Sequence, residues 1–319
     1  MSTRSKFVFF IVVCVCGIVG FRLFGKGEVN GSVEVAPLGG TSVSAKTPDA
    51  VDPSAVAGVG EAGEPGSANA SSGSGVSSMQ QVIDIAEEAL VSMSSNLEDY
   101  TATFVKQESV SGTLSPVTQM QIKIQSRMRN ETDDAPMRIY LKFEQPEANQ
   151  GREVIWAGDM NDGKMAVYEP VILLNLKTLW LDPTGPLAMR GQRYPIYHIG
   201  LVQLVEELVA RGKREIGNPD VTVALQEGFS YGDRTCQLLT AKRSKPSGGD
   251  PADDFSRAEI VFDPNDKLVL AFRSYGWPEE GAVDQQAPLL ESYEYRDVKL
   301  NVGLTEEDFD YQNEGYSFP

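Results

Sequence analysis

The sequence has 319 residues, of which 41% are hydrophobic and 23% charged, and its 45 acidic and 28 basic side chains give a net charge of −17. Most of this charge lies beyond residue 78, where 39 acidic side chains face 23 basic ones. Because an acidic surface repels polyanions, the composition argues against nucleic-acid binding and against long-range attraction to anionic lipid headgroups.

The distribution of aromatic residues divides the chain. No aromatic residue occurs between Phe24 and Tyr100, and all three tryptophans and eleven tyrosines lie beyond residue 99. Within residues 27–78, 32 of the 52 residues are Gly, Ser, Ala or Pro, which bury too little apolar surface to offset the entropy of ordering. The sequence therefore predicts an apolar leader at 1–26, a disordered linker at 27–78 and one folded domain at 79–319.

The leader has the pattern of an export signal. Arg4 and Lys6 precede an apolar run at 7–21, which extends to residue 24 if the side chain of Arg22 reaches the membrane interface. Because no good cleavage site follows, an uncleaved signal anchor, a single transmembrane helix, is favoured over a cleaved signal peptide. We expect a cell-envelope protein anchored in the inner membrane with its C-terminal domain exported, the alternative being secretion to the periplasm after cleavage.

Two helices are predicted from the 3.6-residue spacing of apolar side chains. The first is capped by Ser77 or Ser78 and presents one apolar stripe, formed by Val82, Ile85, Ala86, Ala89, Leu90 and Met93. The second covers about 199–211 and ends at Gly212, because glycine commonly closes a helix.

In the rest of the domain, apolar and polar residues alternate with the period of two that is typical of antiparallel strands with one solvent-exposed face. Strands are predicted at 100–105, 119–125, 137–143, 152–157, 164–168, 178–181, 221–226, 233–241, 257–262, 268–275 and 292–299. Asp162-Gly163 and Asp263-Pro264 read as hairpin turns. Because strands and helices do not alternate as βαβ units, the predicted fold class is α+β: one large curved antiparallel sheet, a half-barrel of about ten strands, with the helices on its concave face.

Five segments together resemble an exported bacterial family of planctomycete type, known as domain of unknown function 1571. They are DYTATFVKQE at 99–108, GREVI at 151–155, LDP at 181–183, YGWP at 275–278 and YEYRDVKLN at 293–301. The family is similar in fold to the lipoprotein-localisation group, LolA-like and LolB-like proteins whose half-barrels hold acyl chains. The resemblance implies a cavity, and it supplies no catalytic residue.

No sequence pattern predicts catalysis, a cofactor or a metal site. His198 is the only histidine and Cys236 the only cysteine of the domain, and they are interpreted as a packed or capping residue and as a small buried strand residue. Asp159 and its neighbours resemble a calcium loop, but the spacing is one residue short, so a hairpin turn is favoured. Basic clusters at 211–214 and 242–245 are interpreted as solvated ends of a helix and a strand.

Methionine, aliphatic and tryptophan side chains of the predicted sheet form the candidate ligand-binding set, since such residues line apolar pockets. The set is Met120, Ile122, Ile124, Met137, Ile139, Leu141, Trp156, Trp180 and Trp277. The sequence thus favours a non-enzymatic, membrane-anchored envelope protein that binds a lipid acyl chain or a lipidated peptide. The alternative is a protein-interaction module that uses its acidic surface or a sheet edge.

Overall fold

The structure is a computed structural model, and it describes residues 74–126, 136–171, 175–249, 254–279 and 287–319, with side chains from residue 78 onward. The predicted leader and most of the predicted linker lie outside these residues. The described residues belong to one compact unit. None of their helices is long and apolar enough to cross a membrane.

Two helices form, α1 (Met79–Asn96) and α2 (Leu201–Arg214), as the apolar spacing predicts. Ser78 caps α1 in a capping box with Gln81, each side chain bonding the backbone N–H of the other residue. The prediction that α2 ends at Gly212 is wrong, since Gly212 lies inside the helix and Glu215 caps it. A Cβ at Gly212 would lie 3.3 Å from Cγ1 of Ile83, so the glycine allows α1 and α2 to approach closely.

Thirteen strands occur in the described residues, against about ten predicted. They are β1 (Ser74–Ser77), β2 (Asp99–Val110), β3 (Thr113–Leu114), β4 (Thr118–Gln125), β5 (Arg138–Gln145), β6 (Glu153–Ala157), β7 (Met165–Tyr168), β8 (Leu179–Leu181), β9 (Val221–Tyr231), β10 (Arg234–Arg243), β11 (Arg257–Asp263), β12 (Leu268–Tyr275) and β13 (Leu289–Leu300). Residues 74–77, near the end of the predicted linker, form β1, which the alternation rule misses because Ser and Gly dominate it.

All strand pairs are antiparallel, and the order across the sheet is β1-β9-β10-β11-β12-β13-β2-β4-β5-β6-β7-β8, with β3 beside β2. Among the described strands, β1 and β8 are the two edges, so the sheet is open rather than a closed barrel. Five of the ladders contain a register shift, which bends and twists the strands locally. The predicted antiparallel sheet with helices on it is confirmed.

One face of the sheet packs against both helices. Its core joins Ile83 of α1 and Val205 of α2 to alternating strand residues such as Tyr100, Phe104 and Ile122. The other face is partly covered by residues 301–319, whose Phe309 is fully buried against Tyr140, Ile155 and Ala166. The two helices therefore define the side of the sheet where an internal space can form.

Candidate ligand-binding site

A cavity of about 470 Å³ lies between the two helices and strands β9–β13. Its walls are mainly aliphatic and aromatic side chains from both layers, including Val82, Ala86, Leu208, Leu239, Ile260 and Phe272. This volume is within the range of about 300–1,000 Å³ that is typical of small-molecule sites. Side chains therefore do not completely fill the space between the helices and this half of the sheet.

Small residues explain why space remains between well-packed layers. Ala86 and Ala89 lie on the apolar stripe of α1, Ala241 and Ala258 lie on the sheet opposite them, and all four line the cavity. Interiors normally fill to crystal-like density, so short side chains facing each other from two layers leave a gap that no neighbour fills.

At one end, the cavity reaches a buried ionic cluster centred on Glu291, whose side chain is 2% exposed. Its oxygens lie 3.4 Å from Nη1 of Arg211 and 3.4 Å from Nε of Arg193, and Oγ of Ser274 donates to it at 3.1 Å. Burial disfavours a charged Arg211, but Tyr194 and Glu291 outweigh that effect and raise its pKa. Arg211 therefore stays charged, and the cluster forms a charged part of the cavity wall.

A second buried carboxylate lies behind this wall. The hydroxyl of Tyr293 donates to Oε1 of Glu108 at 2.7 Å, and the other oxygen of Glu108 accepts from Nζ of Lys106 and from the backbone N–H of Arg193, both at 3.2 Å. Burial and the two carboxylates, Glu291 and Glu108, strongly raise the pKa of Tyr293, so its hydroxyl stays protonated and acts as a donor. These contacts hold the segment before α2 against the sheet.

At another place, the cavity wall contains Arg243 and Asp254, whose side chains are 9% and 5% exposed. Nη2 of Arg243 donates to Oε1 of Glu215 at 2.5 Å. Oδ2 of Asp254 accepts from the backbone N–H of Ser247 at 2.9 Å and from Nε1 of Trp277 at 3.3 Å. Each residue is therefore held in place by contacts with its neighbours.

The sequence profile described as "Protein of unknown function (DUF1571)" matches residues 97–318, more than half of the chain. The chain belongs to this family. The α1 wall of the cavity precedes the DUF1571 match, whereas the α2 and sheet walls lie inside it. No curated protein shows significant sequence similarity to the chain.

Among solved structures, the chain is similar to a DUF1329 family protein from Desulfovibrio piger, with 13% identity and a TM-score of 0.35 over 73% of this chain and 97% of that one. It is also similar to a putative outer membrane lipoprotein-sorting protein domain from Vibrio parahaemolyticus, with 14% identity and a TM-score of 0.31 over 73% and 97%. For a LolA superfamily protein from Nitrosomonas europaea the identity is 9% and the TM-score 0.27, over 73% and 98%. These likenesses are distant.

The nine predicted ligand-binding residues of this DUF1571 chain do not line the cavity. Six of them, Met120, Ile122, Ile124, Met137, Ile139 and Leu141, are buried in the core on the other half of the sheet. Trp156 is half-buried and packs against Tyr197. Trp180 is 41% exposed, and its ring makes an edge-to-face contact with Tyr311. Trp277 donates a hydrogen bond to Asp254 beside the cavity. That these nine contact a ligand stays a prediction.

The residues interpreted as structural have structural surroundings. Cys236 is buried in β10, where burial and the nearby Asp263 raise the pKa of its thiol to about 11. The ring of His198 packs between Tyr194 and Tyr197 just before α2. Asp159 binds Nε and Nη2 of Arg138 at 3.2 and 2.7 Å, and the hairpin turn after it has the predicted positive φ at Asp162 and Gly163.

The interpretation of the basic clusters as solvated chain ends is wrong for Arg243, whose side chain is nine-tenths buried between Glu215 and Phe255. It is incomplete for Arg211, which lies one-third exposed against Glu291 and Tyr194. The lysines of both clusters, Lys213, Lys242 and Lys245, are exposed as predicted, and Lys213 and Lys245 each have a carboxylate partner. Arginine is preferred in buried ion pairs, but Arg214 of the same cluster is exposed, so residue type alone does not predict which arginine is buried.

Proposed function

We propose that this chain is a non-enzymatic cell-envelope protein that binds the acyl chain of a lipid or of a lipidated peptide in the cavity between α1, α2 and strands β9–β13. The observation that supports the proposal is the cavity itself, because its size suits a small ligand and its walls are largely apolar. The apolar run at 7–24 of the predicted leader would tether the domain to the inner membrane and place it near its ligand.

The affinity would come from burial of the tail. Each buried CH₂ group contributes about 0.8 kcal/mol, so a chain of ordinary length supplies ample binding energy. Met79 lies at one wall, and its flexible thioether adapts to irregular apolar shapes. The charged groups at Glu291 and at Arg243 lie where a polar end of the ligand would stop.

Filling the cavity tests the proposal. Ala86→Leu places a larger side chain in the cavity from α1, and Ala258→Val does so from β11. We expect either change to weaken the binding of N-phenyl-1-naphthylamine, an apolar dye, and its displacement by decan-1-ol by about tenfold or more. Ala210→Leu on the exposed face of α2 is the matched control and should leave binding unchanged.

The same assay separates the cavity from the residues predicted from sequence. If Trp180→Ala or Met120→Ala weakens dye binding while the cavity variants do not, the ligand occupies the predicted set instead. A wild-type domain that binds neither dye nor decan-1-ol, and that emerges without lipid in native mass spectrometry, would overturn the proposal altogether. The anchor is tested separately by N-terminal sequencing of the mature protein.

A second candidate function is suggested by the open edge at β8. Trp180 in this strand is exposed, as are Leu176 before it and Leu187 after it, and an edge strand can pair with an extended segment of a partner. An envelope protein-interaction module would then use the edge or the acidic surface. Pull-down at low and high salt distinguishes the two functions, because charge-driven docking weakens with salt and apolar tail binding does not.

A further inference from the structure

The cavity meets the solvent at the C-terminal end of α2. Among the described residues of its wall, three are exposed, Arg214 at the end of α2 and Ser247 and Gly249 in the loop after β10, whereas the others are buried or half-buried. Burying a polar group without a partner costs free energy, so an amphiphile whose tail fills the cavity keeps its head at this opening. We call the opening between Arg214 and the loop at 244–249 the mouth of the cavity.

The charges of the wall are paired with each other except at the mouth. Four arginines and four carboxylates of the described residues line the cavity. Each of the four carboxylates has an arginine of the wall within 4.0 Å. Arg193, Arg211 and Arg243 supply these contacts, whereas Arg214 has no carboxylate within that distance among the described residues. Within the described part of the wall, Arg214 is therefore the charged group that remains available to a ligand.

The second polar side chain at the mouth is also a donor. Oγ of Ser247 accepts a hydrogen bond from the backbone N–H of Gly249 at 3.2 Å. The hydroxyl proton of Ser247 has no acceptor among the described residues, so it is free to donate to a ligand. The mouth thus offers a charged guanidinium on one side and a hydroxyl donor on the other.

A series of contacts joins the two sides of the mouth. Glu215, the residue after Arg214, accepts from Nη2 of Arg243 at 2.5 Å. Nε of Arg243 lies 4.0 Å from Oδ1 of Asp254. The other oxygen of Asp254 accepts from the backbone N–H of Ser247 at 2.9 Å. These largely buried contacts hold the end of α2 and the loop at 244–249 together, so the two donors stay at the same opening.

Two donors at one opening favour a ligand head with acceptor oxygens. A carboxylate or a phosphate accepts from both groups, and a planar guanidinium matches either one with two parallel hydrogen bonds. An ammonium head has only donors, and every carboxylate of the described wall already has an arginine partner. A hydroxyl head accepts as well, but it brings no charge to Arg214.

We propose that the cavity binds an amphiphile with an anionic head, a carboxylate or a phosphate, which accepts from Arg214 and Ser247 at the mouth while the apolar tail lies between α1, α2 and the sheet. This inference rests on the proposed acyl-chain binding and specifies its ligand class. The acidic domain repels anions at long range, but salt screens that repulsion beyond about 10 Å at 0.1 M, whereas the contact with Arg214 is direct. The head can belong to a fatty acid or to a single-tailed lipid with a phosphate.

The test is competition against N-phenyl-1-naphthylamine by four ligands with the same ten-carbon chain, decanoate, decyl phosphate, decan-1-ol and decylamine, at pH 7 and 0.1 M salt. It compares the full-length protein with Arg214→Gln, which removes the charge and keeps a polar side chain. We expect the variant to bind decanoate and decyl phosphate about fivefold more weakly, the upper range for an exposed ion pair, and to bind decan-1-ol as the wild type does. The larger of the two losses distinguishes a fatty acid from a phosphate-bearing lipid.

Lys213→Gln is the matched control, because it removes the same charge from the neighbouring exposed position of α2, which does not line the cavity. This variant should bind all four ligands as the wild type does. Arg214→Lys keeps the positive charge and should retain most of the affinity for decanoate. Ser247→Ala removes the hydroxyl but keeps the backbone contact with Asp254, and it should weaken decanoate about twofold without an effect on decylamine.

Three results would overturn this inference and leave tail binding intact: no loss of decanoate binding in Arg214→Gln, an equal loss for all four ligands, or an equal loss of decanoate binding in Arg214→Gln and Lys213→Gln. A wild-type protein that binds neither the dye nor any of the ligands would overturn the proposed function as well. Thermal unfolding of each variant checks that changes in affinity do not arise from loss of the fold.

Discussion

The hydroxyl oxygen of Tyr100 accepts a hydrogen bond from the backbone N–H of Leu201 at 2.9 Å. Tyr100 lies in β2, and Leu201 is the first residue of α2, whose cap residue Gly200 has no side chain to satisfy the helix N-terminus. On the neighbouring strand β13, the hydroxyl of Tyr295 donates to the carbonyl oxygen of Ile199 at 2.6 Å. Two buried tyrosines therefore fix the start of the helix that forms one wall of the cavity.

Tyr100→Phe should destabilise the protein. The change leaves the N–H of Leu201 buried without a partner, so we expect the free energy of unfolding to fall by about 1–3 kcal/mol. Chemical denaturation measures this loss. Tyr197→Phe is the control, because the Tyr197 ring packs against Trp156 and its hydroxyl makes no hydrogen bond within the described residues. Equal effects of the two changes would contradict the capping role.

Asp99→Ala should release the C-terminal segment. The carboxylate of Asp99 accepts from the backbone N–H groups of Val302, Gly303 and Leu304 at 2.6, 3.2 and 2.9 Å. Hydrogen bonds to a charged group are strong, and we expect a loss of about 2–4 kcal/mol together with faster amide exchange at 302–304. Glu98→Gln, on the exposed neighbour, should have little effect on either measurement.

Part of the loss of folding stability at acid pH should arise from protonation of Glu294. Burial alone would raise its pKa, but hydrogen bonds from Arg273 and Arg296 outweigh this effect and lower it. A carboxylate with a depressed folded-state pKa stabilises fully above its unfolded pKa, and the stabilisation is lost as the pH falls through the folded value. Glu294→Gln should thus cost about 3 kcal/mol at pH 7, near the lower limit for a buried pair because Arg296 is partly exposed.

The difference in stability between wild type and Glu294→Gln should begin to shrink as the pH falls below the ordinary glutamate pKa of about 4.3 and should be lost as the pH passes the lower pKa of the folded carboxylate. Thermal unfolding between pH 3 and 7 follows this change. Glu314→Gln removes an exposed carboxylate of the C-terminal segment and should give a small difference at all pH values. A Glu294→Gln difference that does not vary with pH would show that the side chain acts by packing alone.

Phe309→Ala should expose the outer face of the sheet. The Phe309 side chain is fully buried against Tyr140, Ile155 and Ala166, and truncation of a buried phenylalanine typically costs about 3–5 kcal/mol. Phe318→Ala, a half-buried neighbour in the same segment, should cost less than half as much. Denaturant midpoints compare the two, and similar midpoints would mean that the segment does not seal the outer core.

Local patterns predicted most of the fold. The alternation around Ile122 and Ile139 reflects strands with one buried face, and the stripe from Val82 to Met93 reflects a helix on that face. The alternation rule missed β1 and β3, because β1 is built from Ser and Gly and β3 has only two residues. Helix α2 extends beyond its predicted end at Gly212, because this glycine allows close packing against Ile83 and does not end the helix.

The candidate site was much harder to predict. The predicted set singled out the bulky residues of β4 and β5, whereas the cavity forms where residues are small, as at Ala86 and Ala258. No local sequence pattern predicts a cavity, since its position depends on which small side chains from distant segments face each other in the folded chain. The pairing of Arg243 with Asp254 has the same origin, because only the folded chain brings these charges together in the cavity wall.

The place of β13 in the sheet has a consequence for biosynthesis. This strand, the last along the chain among the described strands, joins the half built from β9–β12 to the half that begins at β2. Until residue 300 has left the ribosome, β2 and β12 each present an unpaired edge, and contacts so distant in sequence form slowly. We therefore expect nascent chains that lack β13 to remain unfinished and prone to aggregation, so that the sheet can close its central seam only after residue 300 has left the ribosome.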